Sequence, residues 1–142
     1  MGLSLSMIAL NMFVLSDVNA ESVKTKCRVR ISDSQKIRSK VSVDGDGLPA
    51  GNYYAEVVSA GNGPIKSTVQ AAVSGEAEFD FDSNANDILE GATQIAPDFI
   101  QNRQVTGSIF TEAGALVQTD DAMCRAKKSR HKHRRHRGGH NS

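Results

Sequence analysis

Apolar residues in this chain recur at every second position. Val41 and Val43 alternate with Ser42 and Asp44, and Tyr53, Ala55 and Val57 alternate with Tyr54 and Glu56. The same spacing runs through Ile65, Ser67, Val69, Ala71 and Val73, through Ala77, Phe79 and Phe81, and through Val105, Gly107 and Ile109. Side chains of an extended backbone point alternately to opposite faces, so runs of this kind predict half-buried strands. Turn chemistry separates them: DGDGLPAGN at 44–52, SAGNGP at 59–64, SGE at 74–76 and EAG at 112–114. With a strand through Cys27 and another over 115–124, about seven strands are expected in roughly 100 residues, the rhythm of an all-β antiparallel β-sandwich.

One segment leaves this rhythm. NDILEGATQIAPDFIQ, residues 86–101, groups its apolar residues as Ile88-Leu89, Ile95 and Phe99-Ile100. Asn84 or Asn86 suits a helix N-cap, and Pro97 followed by Asp98 suits the first turn of another helix. A short helical crossover near 86–101 is therefore expected to close one end of the sandwich, with Phe99 and Ile100 as core plugs. GLPAGNYYAEV, a Pro/Gly turn leading into an aromatic strand, resembles a turn–strand unit of immunoglobulin-like domains. That resemblance implies an immunoglobulin-like sandwich and assigns no functional residue.

The first 20 residues carry the apolar stretch LSLSMIALNMFVL and end in Val18-Asn19-Ala20, the pattern of a cleaved signal peptide. A membrane anchor needs about 20 predominantly apolar residues; this stretch is shorter, is broken by Asn11 and is followed by Asp17. The expected location is secreted, or periplasmic within the cell envelope, with no transmembrane segment after cleavage. The remaining chain suffices for one domain with a modest core. Its two cysteines, Cys27 and Cys124, lie at the two ends of the strand-rich region, and cysteines of an exported chain pair. The expected organisation is a signal peptide at 1–20, a disulfide-closed sandwich at 21–124 and a disordered basic, His-rich tail at 125–142.

Charge is segregated along the chain. Between positions 21 and 40 there are seven basic residues against two acidic ones; between 41 and 123 there are two against 13; beyond Cys124 there are eight basic residues and no acidic one. Alternation sorts these charges further. KTKCRVRI places Lys24, Lys26, Arg28 and Arg30 on one face, while GEAEFDFD places Glu76, Glu78, Asp80 and Asp82 on one face. Each row of like charge gains from a counterion, and three are open to it. The two strands can pair with each other; the basic ends of one molecule can meet the acidic flank of the next and build an extracellular or envelope assembly; or calcium can bind DFDSNAND through Asp80, Asp82, Asn84 and Asp87.

The region between the cysteines has no histidine, so it lacks the usual general base and the commonest zinc ligand. It carries no GxxxxGK[ST] or GxGxxG phosphate loop. No catalytic residues are expected and the chain reads as non-enzymatic. The tail RAKKSRHKHRRHRGGHNS points to a polyanion, whether an acidic polysaccharide, a nucleic acid or an anionic surface, or to an acidic protein face. Lys127, Lys128, Arg130, Lys132, Arg134, Arg135 and Arg137 would neutralise it and release counterions. His131, His133, His136 and His140 would at most hold Zn²⁺, Cu²⁺ or Ni²⁺ weakly among so many cations.

Overall fold

The computed structural model describes residues 21–129. The expected signal peptide, the tail cations Arg130, Lys132, Arg134, Arg135 and Arg137 and the histidines His131, His133, His136 and His140 lie outside the described residues. Within them, strands β1 (Ser22–Ser32), β2 (Gln35–Asp46), β3 (Asn52–Ser59), β4 (Asn62–Lys66), β5 (Gln70–Ala71) and β6 (Ala77–Asp82) precede a single short helix, α1 (Ala85–Leu89). The strands β7 (Thr93–Gln94), β8 (Gln104–Thr111), β9 (Leu116–Met123) and β10 (Arg125–Lys128) follow.

These elements build an all-β sandwich of two sheets. The first has the order β10-β1-β2-β6-β7; the second has the order β4-β3-β8-β9, with β5 alongside β3. With β1, β2 and β6 taken as strands A, B and E, and β4, β3, β8 and β9 as C′, C, F and G, these seven strands follow the order of an immunoglobulin-type sandwich, but β7, which follows β6 and pairs parallel to it, stands where strand D would precede it. Pairing is antiparallel except for two short parallel contacts, β1 with β10 and β6 with β7.

The inward residues of β1, β2, β3, β6 and β8 are those picked out by alternation. Val23, Cys27, Val29, Val41, Val43, Phe79 and Phe81 from the first sheet meet Tyr53, Ala55, Val57, Val105 and Ile109 from the second. At Gly107 a Cβ would strike the side chains of Thr25 and Val43, so glycine lets the two sheets approach closely there. Phe99 and Ile100 are buried at the end of the sandwich, as core plugs should be, and Ile95 is buried with them. Their segment is less helical than its sequence predicts. Asn84 caps α1 by accepting from the backbone N–H groups of Asn86 and Asp87, but the helix ends at Leu89, and Pro97-Asp98 leads only into a turn closed by Phe99 N–H to Ala96 O.

Two other boundaries differ from expectation. The alternating run 65–73 is broken, because the Ser67 hydroxyl accepts from Ala55 N–H at 2.9 Å and donates to Thr68 O, which turns the chain out of β4 and leaves Val69 and Val73 exposed. Cys124 also does not end the folded domain, since the first four residues of the basic run form β10.

Cys27 and Cys124 form a disulfide across 97 positions, with both residues buried. It lies where the chain leaves the second sheet in β9 and enters the first in β10. The N-terminal half of β1, which β10 does not reach, is tied to β9 by side chains. Thr25 N–H donates to Asp120 Oδ2 at 2.7 Å and Val23 N–H to Gln118 Oε1 at 3.2 Å.

Candidate anion-binding face

Among the described residues, the outer face of the first sheet carries the basic row of β1 and the acidic row of β6. Along β1 the residues Lys24, Lys26, Arg28 and Arg30 are exposed, while Val23, Thr25, Cys27 and Val29 between them are buried. On the other side of β2, the β6 residues Glu78, Asp80 and Asp82 stand level with Asp44, Ser42 and Lys40 respectively. The basic and acidic strands are therefore not neighbours. β2 lies between them, which puts two interstrand spacings, roughly 10 Å, between their backbones.

β2 mediates what pairing occurs. Lys26 of β1 reaches Asp44 at 3.5 Å, an exposed contact worth a few tenths of a kcal/mol. Arg38 makes the strongest link: its Nε donates to Asp82 Oδ1 at 3.0 Å, and its Nη2 donates to Asp82 Oδ2 at 2.7 Å and to Asp87 Oδ2 at 2.6 Å. Asp82 is fully buried and also accepts from Asn84 N–H. Burial by itself would push the Asp82 carboxyl up; the hydrogen bonds from Arg38 and Asn84 and the charges of Arg38 and Lys40 outweigh it and hold the group below its ordinary value. The same contacts, led by the hydrogen bond to Asp82, raise Arg38.

This network engages two of the four side chains proposed for calcium. Asp82 and Asp87 are bound to the Arg38 guanidinium, Asn84 caps α1, and Asp80 stands level with Ser42. Among the described residues no group of three or more His, Cys, Asp or Glu side chains is arranged to hold a metal ion. Addition of calcium is expected to leave the melting temperature unchanged; a rise that saturates with calcium concentration would show that the ion displaces the guanidinium.

The cations of β1 have a different neighbour from the one expected. β10 runs parallel to β1 with Arg28 level with Arg125 and Arg30 level with Lys127, so these four side chains share one outer face. Lys128 is exposed but falls on the opposite face, level with Ile31. Arg28, Arg30, Arg125 and Lys127 are all exposed, and no ion pair engages them among the described residues. Arg28, Arg30, Arg38 and Lys40 converge around a small cleft of about 20 Å³. A larger open cleft of about 610 Å³ begins beside it, with Lys24, Arg28 and Arg125 along one wall and Asp44, Glu78 and Asp80 along the other. An anion placed on this face is drawn toward β1 and β10 and repelled from β6.

The sequence marked the β1 cations and the basic run separately, but not their union. The only signal for it was the alternation Arg125-Ala126-Lys127 directly after a cysteine whose partner precedes Arg28. Arg38 was missed as the partner of Asp82; its place two residues before Lys40 on the alternating β2 pattern is the trace it left. No family model, curated protein or solved structure matches the chain.

Proposed function

We propose that this is a non-enzymatic binding protein of the secreted or periplasmic space that holds an acidic polysaccharide on the outer face of its first sheet. One observation carries the reading: the start of the basic C-terminal run is laid in register beside the basic strand β1, giving Arg28, Arg30, Arg125 and Lys127 one common face. Like charges at neighbouring cross-strand positions are destabilising, and an anionic ligand removes that cost. The disulfide supports an oxidising compartment. No described helix is long and apolar enough to cross a membrane.

Acidic polysaccharide is preferred over nucleic acid because the charged face offers arginine, lysine and serine but no aromatic ring. Stacking on aromatic side chains is the main sequence-tolerant grip on single-stranded bases, whereas guanidinium groups match the planar or tetrahedral oxyanions of carboxylate and sulfate with paired hydrogen bonds. The two aromatic rings in mutual contact, Tyr54 and Phe110, stack on β3 and β8 in the other sheet.

Heparin serves as the probe. The full chain should bind it with an affinity that falls steeply between 50 and 200 mM salt, roughly one power of salt concentration for each contact formed. The double substitution Arg28→Ser and Arg30→Ser should weaken binding about tenfold or more, since each exposed charge contact is worth on the order of 1 kcal/mol. Salt-independent binding, or an affinity untouched by the pair, overturns the proposal. Tighter binding to single-stranded DNA or to anionic lipid vesicles than to heparin overturns the choice of polysaccharide.

A further inference from the structure

The basic run begins as a strand, and it pairs with the least favourable electrostatic neighbour available. The β10 cations lie beside the β1 cations, although the carboxylates of β6 are on the same sheet. Covalent and backbone links hold them there. The disulfide joins the residue before Arg28 to the residue before Arg125, so it sits one step ahead of the first in-register pair. Cys124 N–H donates to Arg103 O at 2.8 Å, the Arg103 guanidinium donates to Cys124 O from Nε at 3.1 Å and from Nη2 at 2.9 Å, and Ser129 N–H donates to Ile31 O at 2.9 Å. Both ends of β10 are thus fastened, and its alternation cannot slip relative to β1 without breaking one of them.

We infer that Arg125 and Lys127 are fixed members of the binding site rather than the root of a flexible arm, and that the site reads the spacing of anionic groups on a polysaccharide. This rests on the proposed function and adds to it. Neighbouring strands lie about 4.8 Å apart and alternate residues of a strand about 6.6 Å apart, so Arg28, Arg30, Arg125 and Lys127 form a two-by-two grid. A chain carrying sulfate or carboxylate groups roughly 5 to 7 Å apart fits that grid. One that carries the same charge at wider intervals engages it one cation at a time.

The test keeps charge and composition constant. Arg125→Ala with Ala126→Arg moves one cation to the opposite face, and Lys127→Ser with Ser129→Lys moves the second along the outer face and out of the grid; the net charge of the run is unchanged, and all four positions are exposed. Heparin affinity should fall about tenfold, while the urea midpoint stays that of the unaltered chain. A rearranged protein that binds as tightly as the original overturns the inference and leaves the proposed function standing; absence of heparin binding by the unaltered chain overturns the proposed function itself. Footprinting of the unaltered protein with an arginine-modifying reagent gives a second readout: bound heparin should protect Arg28 and Arg125 together. Protection of Arg28 with Arg125 left fully reactive also overturns the inference.

Discussion

Replacing Cys27 and Cys124 together by alanine should lower the free energy of unfolding by about 4 to 5 kcal/mol, the chain-entropy value for a closed loop of roughly 100 residues. The bond spans 97 positions and so encloses nearly all of the sandwich. Most of its effect falls on the unfolded chain, which is held compact while the bond is intact. Two measurements separate this from a local packing effect. In urea the midpoint should drop, and the slope of unfolding free energy against denaturant should steepen because the unlinked chain exposes more surface. A loss below about 1 kcal/mol with an unchanged slope would mean that the enclosed loop contributes little. For a domain of this size the expected loss corresponds to a fall in melting temperature of about 20 °C.

The second large effect is expected at Arg38. Changing Arg38 to Met keeps much of the side-chain volume but leaves the fully buried Asp82 with only Lys40, 4.0 Å away, as a cationic partner. Removal of one member of a buried pair costs about 3 to 5 kcal/mol, because the remaining charge stays desolvated. The pH dependence should identify the cause. In the native protein the Asp82 carboxyl is held below its unfolded value, so its contribution is complete above about pH 4 and is lost as pH falls through the lower folded value. Without Arg38, burial dominates and raises the same carboxyl above its unfolded value; the variant then recovers stability as Asp82 takes up a proton. The difference between the two proteins should therefore be largest near neutral pH and narrow in acid. A difference that stays constant from pH 7 to pH 3 would assign the loss to packing of the Arg38 stem and not to the charge on Asp82.

How much of this molecule its sequence displays depends on the range of the interaction involved. Burial of alternate side chains is a local demand, repeated at each strand, so the cores of β2, β3, β6 and β8 could be read directly from Val41 and Val43, Tyr53 to Val57, Phe79 and Phe81, and Val105 and Ile109. The sandwich follows from them. Where one hydroxyl redirected the chain, as Ser67 does after β4, alternation continued in the sequence but stopped in the structure. The charged rows were visible as rows. Their neighbours were not, because strand order is settled by the whole fold: β2 came to lie between the basic and acidic strands, and β10 came to lie beside β1. The basic run gave no core signal by which β10 could have been recognised, since each of its four residues is exposed. What holds it in place is the cystine one residue upstream and the ladder to β1.

That cystine also determines how the protein carries load. Force applied between Ser22 and Ser129 can separate β10 from β1 only as far back as Cys124. Tension then crosses directly to Cys27 through the covalent bond, and the stretch from β2 to β9 lies outside the path between the two ends. Under tension the domain behaves as a short tether with a folded bead hung from it. Arg125 and Lys127 belong to the tether, whereas Arg28 and Arg30, which follow Cys27, belong to the bead, so the disulfide joins the two halves of the charged face.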